Sequence, residues 1–483
     1  MRLHEMVTDL PDVRFTEDNP EVLGLATDSR KVRSGDLFVA IRGGEEQDRH
    51  PYVKDAIAAG AVAAVVEEAV ESHSAPLVEV PSTRQALSIL SKRFYGSPDS
   101  ALKLVGITGT NGKTTTAYLT YAMLAAADMN PGLVGTVEHL IGDRSAHSSN
   151  STPEANELQS MFREMLEAGC QSAVIEATSH GLALGKVGGM EFDVGVFTNL
   201  TRDHLDFHRS QEAYLSAKAL LFDNLKTDAY AIVNVDDTAH SEILSRCRSK
   251  VLRYGYSASA DIRIMEGQTD WRGVRIELKT PEGPQEIEST LHGQFNFWNI
   301  AAAVATGMAL GVSKEVTAQA VREVKVPGRF EAVNRGKLFG VVVDYAHTPD
   351  GLENVLQTAK GLTDGRLICV FGCGGDRDRG KRPEMGRVAA KFADLSFVTS
   401  DNPRTENPGS IVNEIIPGLG SAPYFIEVDR RKAIEGAIHS ANPGDLVLIA
   451  GKGHEDYQII GDEVTYFDDR ICAREVLNSS DEK

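Results

Sequence analysis

Cysteine is scarce in this sequence. The 483 residues include only five, and their number is odd. Their spacings match neither a disulfide framework nor a zinc-binding knuckle. We therefore expect free thiols and a protein of the reducing cytoplasm. The five cysteines are Cys170, Cys247, Cys369, Cys373 and Cys472.

Long hydrophobic runs are also lacking. The longest apolar stretch covers residues 56–66, well short of the ~18 residues that a membrane-spanning helix needs. The first residues, MRLHEMVTDLPDVRF, contain no apolar core of a signal peptide. We expect neither a membrane anchor nor a targeting segment.

Positive charge is in deficit. Lysine and arginine number 50 against 69 acidic residues, which gives a formal net charge of −19. A strongly acidic chain has no general affinity for nucleic acid or for anionic membranes. We therefore expect small-molecule partners, with local cationic groups wherever a substrate is anionic. We also expect a monomer.

The composition is that of a globular enzyme, with 42% hydrophobic and 25% charged residues. The length exceeds what one hydrophobic core usually supports, so two or three domains are expected. Segments rich in turn-forming residues, at 96–100 and 326–329, place the predicted domain boundaries near residues 99 and 329. The predicted domains are residues 1–99, 100–329 and 330–483.

Apolar runs alternate with helical patterns along the chain, which predicts an α/β fold with a mainly parallel sheet. In the last segment, each candidate strand is followed by polar residues together with glycine or proline. Ligands of open parallel sheets bind beyond the carboxyl ends of the strands, where these residues lie. The candidate strands there are residues 338–343, 367–371, 396–399 and 446–450.

A phosphate-binding loop is the most informative motif. Residues 105–116 read VGITGTNGKTTT and lie between an apolar strand and a helix-forming run. Backbone amides of such a turn cradle nucleotide phosphates, with Lys113 reaching the terminal phosphates and Thr114 offering its hydroxyl to Mg²⁺. The loop departs from the general pattern because Ile107 replaces the first glycine. We predict ATP and Mg²⁺ as cofactors.

Acidic and imidazole groups follow two further strands of the middle segment. Glu176 ends one strand before the text ATSHG, and His204 lies in the cluster DHLDFH after another. A hard cation prefers oxygen ligands and tolerates an imidazole. A single histidine after a strand is more often a capping or core residue, but the cluster beside a phosphate loop favours a Mg²⁺ ligand.

Lys218 lies on the apolar stripe of a predicted helix over residues 211–225. Periodicity alone favours an amine that extends along the surface to reach solvent. The alternative is a neutral lysine that has taken up CO₂, whose carbamate supplies an oxygen ligand for a second Mg²⁺.

Several motifs occur together in the order found in the Mur ligases, which the chain resembles over nearly its whole length. The resemblance implies a UDP-binding N-terminal domain, a central P-loop ATPase domain and a Rossmann-like C-terminal domain that admits an amino acid. The segments DNPRTENP and AGKGHEDYQ resemble those of the members that add meso-diaminopimelate. The shared motifs are GTNGKT, EATSHGL, TNLTRDHLDFH, YLSAKALLF, GQFNFWNIAAA, PGRFE, DYAHTPD and GCGGDRDRGKRPEMG.

The resemblance implies that ATP phosphorylates the glutamate carboxylate of UDP-N-acetylmuramoyl-L-Ala-D-Glu, and that the amine of diaminopimelate then attacks the acyl phosphate. It assigns catalysis to Lys113, Lys218, Glu176 and His204, and metal binding to Thr114, Glu176, His204 and carbamylated Lys218. The implied nucleotide-binding residues are Gly109, Thr110, Asn111, Gly112, Lys113, Thr114, Thr115, Asn299, Arg329 and Asp344. No role is assigned to His347.

For the UDP substrate, the resemblance implies contacts from Ser29 in TDSR, from Asn150, Ser151 and Thr152, and from Thr178 and Lys186. Three positions depart from the family pattern. Thr178 replaces a usual serine, Leu184 a common glutamine that could form hydrogen bonds, and Lys186 a usual arginine. Lysine keeps the charge at position 186 but loses the two-pronged geometry of a guanidinium.

For the amino acid, the resemblance implies a pocket with a cation and an acceptor at its far end. Arg404 and Arg377 would bind carboxylate groups, Asn402 would add a donor and an acceptor, and the Gly451 carbonyl with Glu455 would bind an ammonium. The pocket residues are Arg377, Asp401, Asn402, Pro403, Arg404, Gly451 and Glu455.

Two alternatives remain at this point. An amide ligase with another acceptor, such as a lysine-adding or folylpolyglutamate enzyme, would not have arginine after Asn402 and Pro403. A P-loop NTPase that works as a switch or motor would have a strand ending in an aspartate, whereas the strand here ends in Glu176.

Overall fold

The computed structural model describes residues 1–15, 17–43, 48–68, 70, 75–148, 150–333 and 338–479. It contains three large sheets, made of mainly parallel strands with helices between them, and one separate hairpin. The predicted α/β class is therefore confirmed. No helix in this described part of the chain combines the length and the apolar character that crossing a membrane requires.

The N-terminal sheet has five strands in the order β1-β5-β4-β3-β2, and only β1 is antiparallel to its neighbour. β4 is buried at every residue, as expected for a strand covered on both faces. The strands are β1 (Arg14–Phe15), β2 (Gly24–Ala26), β3 (Asp36–Val39), β4 (Ala63–Val66) and β5 (Leu77–Glu79), and the helices are α1 (Leu3–Val7), α2 (Val53–Ala58) and α3 (Thr83–Tyr95).

The central sheet has eleven strands. Its middle is parallel, and each edge is extended by an antiparallel meander. The order is β16-β15-β14-β13-β12-β11-β6-β10-β7-β8-β9. The strands are β6 (Lys103–Thr108), β7 (Pro131–Val134), β8 (Glu138–Ile141), β9 (Arg144–His147), β10 (Ser172–Glu176), β11 (Val194–Phe197), β12 (Tyr230–Asn234), β13 (Lys250–Gly255), β14 (Ile262–Asp270), β15 (Gly273–Thr280) and β16 (Gly283–Ser289).

Eight helices of the described chain belong to this region. The largest contact between them joins α4, which follows the phosphate loop, to the nearly apolar helix α10. They are α4 (Lys113–Ala126), α5 (Ala155–Glu167), α6 (Ser179–Ala183), α7 (Leu205–His208), α8 (Gln211–Asp223), α9 (His240–Ile243), α10 (Phe295–Leu310) and α11 (Lys314–Val321).

The C-terminal sheet has the order β17-β18-β22-β19-β20-β21, with β17 antiparallel at one edge. The strands are β17 (Glu331–Ala332), β18 (Gly340–Asp344), β19 (Leu367–Phe371), β20 (Leu395–Val398), β21 (Tyr424–Ile426) and β22 (Leu446–Ala450), and the hairpin is β23 (Tyr457–Ile460) with β24 (Glu463–Tyr466). The helices are α12 (Pro349–Leu362), α13 (Lys381–Phe392), α14 (Pro408–Leu419), α15 (Arg430–His439) and α16 (Asp469–Ser479).

The strand predictions for this last segment hold closely. β19 and β22 have the predicted bounds, and β20 is shifted by one residue from the predicted 396–399. β18 begins two residues after the predicted start at 338 and ends one residue later. Both predicted domain boundaries fall between sheets, and their positions stay predictions.

A buried ion pair connects α15 to α16. Arg430 and Asp469 are both 0% exposed and are joined by two hydrogen bonds, of 2.8 Å from Nε and 2.6 Å from Nη2. The remaining guanidinium hydrogens are donated to the carbonyls of Ser400 and Ala450, at 3.2 and 3.0 Å. The pair thus fastens the last helix to the ends of β20 and β22.

Removing one member of this pair should strongly destabilise the protein, because the other charge would remain buried without a partner. We expect Asp469→Asn to lower the free energy of unfolding by about 3–5 kcal/mol. The measurement is urea denaturation followed by circular dichroism. Glu475→Gln is the matched control, since it breaks the Arg431–Glu475 pair between the same helices, whose side chains are 52% and 55% exposed. Its expected cost is below about 1 kcal/mol, and equal losses in the two variants would contradict the prediction.

Candidate active site

The phosphate loop is closely packed, which explains its glycines. Gly109 has a φ of 150°, and a Cβ there would lie 1.8 Å from the hydroxyl of Thr198. Gly112 has a φ of 84°, and a Cβ there would lie 2.4 Å from the amide oxygen of Asn299. Side chains at either position would clash or strain the backbone. The loop therefore leads directly from β6 into α4, with backbone amides at the helix start.

Lys113 folds back over this loop. Its ammonium donates hydrogen bonds to the carbonyls of Gly109 and Thr110, at 3.0 and 2.9 Å. Burial lowers the pKa of Lys113, against the attraction of Glu176. The amine is therefore held inside the loop, where it would meet the terminal phosphates of a bound nucleotide.

The side-chain oxygens of Thr114 and Glu176 form a cluster beside the phosphate loop. The Thr114 hydroxyl donates to Glu176 at 3.0 Å, and Thr136 donates to both carboxylate oxygens, through its amide at 2.8 Å and its hydroxyl at 2.9 Å. Glu176 is fully buried. A buried carboxylate next to a hydroxyl is a donor set that fits Mg²⁺.

Protein side chains alone do not complete a metal shell in the described part of the chain, where no three His, Cys, Asp or Glu side chains gather into a metal site. This is the expected situation for Mg²⁺ in a nucleotide site, since the ion usually takes one or two protein carboxylates and fills its shell with phosphates and water.

His204 lines the same cleft as Glu176. It has a left-handed φ of 54°, and its Nε2 lies 3.3 Å from the carboxylate of Asp203. Burial lowers the pKa of His204 to about 3, although Asp203 opposes the shift. The ring is thus neutral at physiological pH, which is the form that can bind a metal.

Lys218 is buried rather than directed to solvent, so the surface orientation that periodicity favoured is wrong. Its side chain is 1% exposed, and its Nζ donates to the Gly109 carbonyl at 2.7 Å. The amine lies 4.3 Å from the ring centroid of Tyr214. Burial, reinforced by the charge of Lys113, lowers the pKa of Lys218 well below its usual value. A long-range contact to the phosphate loop therefore replaces the contact with water.

Arg329 and Asp344 lie where the C-terminal domain meets the loop. Arg329 donates to the Thr114 hydroxyl at 3.0 Å and lies over the ring of Tyr345, at 4.4 Å. Asp344 accepts the backbone amides of Phe330 and Ala346, both at 2.7 Å. Burial raises the pKa of Asp344.

Asn299 and His347 also line the cleft. The Asn299 side chain is already engaged, because it donates to Asn296 at 2.8 Å and lies against Gly112. Nδ1 of His347 is 2.9 Å from the Tyr345 carbonyl, and burial lowers the pKa of His347. The structure thus places His347 in the lining of the cleft, whereas the sequence had assigned it no role.

The residues expected to contact the muramoyl peptide gather near Glu176. Thr152 donates to the Glu176 carbonyl at 2.8 Å and lies 2.9 Å from the Thr178 hydroxyl, which also caps α6. Lys186 donates to the Thr152 carbonyl at 3.1 Å. Asn150, Ser151 and Leu184 line the cleft with them.

Ser29 is the exception among the predicted substrate residues. It begins a one-turn 3-10 helix (Ser29–Lys31) in the N-terminal domain, and the described lining of the cleft does not include it. Its role in uridine binding stays a prediction.

The DNPR segment forms a hydrogen-bonded loop beside the cleft. Asn402 is buried, and its side chain donates to Glu455 at 2.8 Å while its oxygen accepts from Lys452 at 3.2 Å and from the amide of Ile459 at 3.0 Å. Lys452 also lies 3.2 Å from Glu455. The Asn402 acceptor that the sequence offered to a ligand is therefore used internally, and Lys452 is a member of the site that sequence reasoning missed.

Two guanidiniums lie together at this loop. Arg404 donates to the carbonyl of Gly375 at 2.9 Å, and a Cβ on Gly374 would lie 3.0 Å from Arg404 Nη1 and 3.7 Å from Arg377 Cγ. Burial and the neighbouring charge of Arg404 lower the pKa of Arg377. Two cationic side chains beside one loop favour an anionic ligand there. Arg377 also lines the main cleft and so connects the two sites.

The remaining predicted positions shape the backbone. Gly451 has a φ of 119°, and a Cβ there would lie 2.6 Å from the Asp401 carboxylate. Asp401 accepts the amide of Asn402 at 2.6 Å. The Pro403 carbonyl lies so close to Gly375 that a Cβ there would be 1.8 Å from it.

The main cleft has a volume of about 870 Å³ and is lined by residues of the central and C-terminal regions, from Thr110 to Arg377. Sequence reasoning missed several residues that shape it. Thr136 positions Glu176, and Asp350 accepts a 2.6 Å hydrogen bond from the phosphate-loop residue Asn111. Asp203 could have been found, because it directly precedes His204 in the acidic cluster, whereas Thr136 and Asp350 carry no local signal. The predicted residues that line the cleft are Thr110, Asn111, Gly112, Lys113, Thr114, Thr115, Asn150, Ser151, Thr152, Glu176, Thr178, Lys186, His204, Asn299, Arg329, Asp344 and Arg377.

Three family models match the chain in succession. The Mur ligase family catalytic domain matches residues 21–95, the Mur ligase middle domain residues 107–307, and the Mur ligase glutamate ligase domain residues 328–453. Together they match strands of all three large sheets.

Curated relatives match over nearly the full length. The chain is 43% identical to a UDP-N-acetylmuramoyl-L-alanyl-D-glutamate–2,6-diaminopimelate ligase of Bacillus cereus, over 99% of this chain and 98% of the relative. It is 46% identical to a ligase of the same name from Geobacter metallireducens, over 93% of each chain.

Solved structures show the same architecture. A structure of a ligase with that name superposes with a TM-score of 0.69 at 32% identity, over 100% of both chains. The MurF ligase of Thermotoga maritima in complex with ADP superposes with a TM-score of 0.65 at 20% identity, over 88% of this chain and 93% of that one. The second likeness concerns the fold alone.

Proposed function

The chain belongs to the Mur ligase family, and from this membership we infer that it adds meso-diaminopimelate to UDP-N-acetylmuramoyl-L-alanyl-D-glutamate. The reaction consumes ATP, releases ADP and phosphate, and forms an amide bond in a peptidoglycan precursor. The observation that carries this assignment is similarity to ligases of that name over the whole chain, at 43% identity across 99% of its length in one case.

The chemistry explains why the cleft needs so many charged groups. A carboxylate is a poor electrophile, so its oxygen first attacks the γ-phosphorus of ATP, and the bond to the leaving ADP breaks. The amine of the amino acid then attacks the acyl carbon, loses a proton, and displaces phosphate. Both ATP and the carboxylate are anionic, so stabilisation of negative charge is the main task of the protein.

The phosphate loop would provide most of this stabilisation of negative charge. The amides of residues 109–115 would hold the phosphates, and Lys113 would shift from its loop carbonyls to the terminal phosphate. Arg329, which already contacts the Thr114 hydroxyl at 3.0 Å, would add a second positive charge from the predicted domain boundary. Asn299 and Asp344 would contact the rest of the nucleotide.

Thr114, Glu176 and His204 would hold Mg²⁺, which when bound would offset the repulsion between phosphate and carboxylate. Three observations support this assignment. Glu176 is buried beside a hydroxyl, His204 is neutral, and both line the cleft that contains the phosphate loop.

Lys218 is proposed to carry a carbamate. Its lowered pKa favours the unprotonated amine, which is the form that attacks CO₂, and the new N–C bond would form as a proton leaves. The modified side chain would be an anion beside the Gly109 carbonyl and would supply an oxygen ligand to a second Mg²⁺. The same modification would separate the two amines at this carbonyl.

The UDP substrate would extend from the N-terminal domain, with Ser29 at the uridine, toward the cleft. Asn150, Ser151, Thr152 and Thr178 would contact the muramoyl peptide, and Lys186 its carboxylate. Lys186 is 13% exposed in its side chain and pairs with Glu154 at 3.3 Å, so its charge already points into a polar environment.

The amino acid would bind at the DNPR loop. Arg404 would meet the distal carboxylate and Arg377 another carboxylate, while Glu455 and the Gly451 carbonyl would bind the distal ammonium. Asp401, Asn402 and Pro403 would form the pocket wall. A ligand with both charges at its far end would satisfy the guanidiniums and the carboxylate together.

We further propose that the enzyme works as a monomer in the cytoplasm on small-molecule substrates. The phosphate loop and the residues proposed to contact the muramoyl peptide line one cleft within a single chain, and Arg377 connects this cleft to the DNPR loop.

Lys113→Ala should abolish ligation while leaving binding of the UDP substrate near normal, because Lys113 contacts only phosphates in this assignment. Loss of such a charge contact costs roughly 10²-fold or more in turnover. The measurements are ligation rate and titration with the UDP-dipeptide. Lys103→Ala, on the strand before the loop, is the matched control, since Lys103 forms only an exposed pair with Asp193. A Lys113→Ala variant with a tenth of wild-type turnover would refute the phosphate role.

Lys218→Ala should be nearly inactive and partly restored by formate, which can occupy the place of the carbamate. Lys218→Arg keeps a cation but cannot carry the carbamate, so it should be inactive without restoration. Intact-mass analysis of wild type in alkaline bicarbonate should show the gain of one CO₂. Full activity of Lys218→Ala without additives would exclude the modification from the mechanism.

Arg404→Ala should lose most of its efficiency with diaminopimelate through a raised KM. Its preference for diaminopimelate over L-lysine should collapse, because only diaminopimelate presents a distal carboxylate. A site built around a charged hydrogen bond can reject an analogue that lacks the partner by on the order of 10⁴-fold. The measurement is kcat/KM for both amino acids with ATP and UDP-dipeptide saturating. If wild type adds lysine equally well, an amide ligase with another acceptor becomes the better assignment.

A further inference from the structure

The hairpin of β23 and β24 forms a two-stranded sheet of its own at the edge of the C-terminal domain. Its larger side chains are open to solvent, with Ile460 48%, Val464 67% and Tyr466 69% exposed. A two-stranded hairpin with so little burial is only marginally stable by itself. Its conformation must therefore be supported by what it contacts.

The hairpin contacts the DNPR loop through four hydrogen bonds. Gln458 donates its side-chain amide to the Asp401 carbonyl at 2.7 Å, and the amide of Ile459 donates to the Asn402 side chain at 3.0 Å. The other two bonds flank Arg404. Its amide donates to the Ile459 carbonyl at 3.1 Å, and its carbonyl accepts from Gly461 at 2.7 Å.

These bonds hold Arg404 in a conformation that an arginine seldom adopts. Its φ is 52°, in the left-handed region where a Cβ crowds the following carbonyl. Residues persist there only where their surroundings fix the backbone. The parallel bridge between Arg404 and Ile460 supplies that constraint on both sides of the residue. The direction of the guanidinium thus depends on the hairpin.

We propose that the hairpin 457–466 is a specificity element of the amino-acid site, and that Gln458 is a positioning residue that holds the Asp401 carbonyl and thereby the loop that carries Arg404. This inference rests on the proposed function. Substitution of Gln458 tests the proposal directly, because its side chain donates one of the four hydrogen bonds to the DNPR loop. The other three hydrogen bonds use the hairpin backbone.

Gln458→Leu removes the donor at similar side-chain volume. We expect the KM for diaminopimelate to rise by up to about tenfold, the size of effect that loss of one partly buried hydrogen bond produces. The KM for ATP and for the UDP-dipeptide should stay at wild-type values, and kcat should change less than the KM for diaminopimelate. The preference for diaminopimelate over lysine should fall by a similar factor.

The matched control is Gln357→Leu in α12, the same substitution in the same domain. Gln357 is exposed, and its amide bonds only within its own helix, to Glu353 at 3.3 Å. This variant should keep all three KM values. Gln458→Glu keeps the shape but replaces the donor, so it should reproduce the Gln458→Leu effect even if the leucine variant folds poorly.

A uniform loss of kcat and a rise in all three KM values in both Gln458 variants would show a merely structural role and overturn the proposal. So would an unchanged KM and an unchanged preference ratio in variants that fold. If wild type does not add diaminopimelate, the proposed function fails separately. The positioning claim is then decided by a crystal structure of Gln458→Leu, where an Arg404 backbone unchanged at its left-handed φ would overturn it.

Discussion

Two buried amines converge on one carbonyl oxygen, and the central domain is organised around that constraint. Lys113 and Lys218 both donate to the Gly109 carbonyl, at 3.0 and 2.7 Å. Two full positive charges at this spacing, away from water, would be strongly unfavourable. Burial accordingly lowers the pKa of both amines. The two amines at the phosphate loop would therefore be stabilised by nearby negative charge. The proposed phosphates and carbamate are the groups that would supply this charge.

The proposed amino-acid pocket also combines buried charges, with cations at one end and a carboxylate at the other. Arg377 and Arg404 place two cations together, while Glu455 faces Lys452 at 3.2 Å on the other side of Asn402. Burial raises the pKa of Glu455, with a further contribution from the charge of Asp401. An additional ammonium near Glu455 would favour its ionised form. A ligand end that carries both a carboxylate and an ammonium balances the two halves, whereas an ammonium alone leaves the guanidiniums facing each other.

Local pattern was sufficient for the strands and for the phosphate loop, because both depend on residues that are neighbours in sequence. The bounds of β19 and β22 were predicted to the residue from short apolar runs bounded by turn-forming residues. Contacts between residues distant in sequence could not be predicted in this way. Lys218 lies 109 residues from the carbonyl that holds it, so periodicity could place its side chain on the apolar face but could not decide between solvent and the loop. The engagement of Asn402 by Lys452 and the left-handed backbone of Arg404 escaped prediction for the same reason.

The domain joint connects the two chemical steps. Asn111 and Thr114 belong to the phosphate loop, yet Asn111 donates to Asp350 at 2.6 Å and Thr114 accepts from Arg329 at 3.0 Å, both from the C-terminal side of the joint. Phosphate groups entering the loop would compete for these same donors and cations. If the proposed nucleotide site is correct, nucleotide binding would alter these contacts across the joint, and linkage would then give the reverse effect the same size. The domain proposed to bind the amino acid would in that case respond to whether the phosphate loop is occupied.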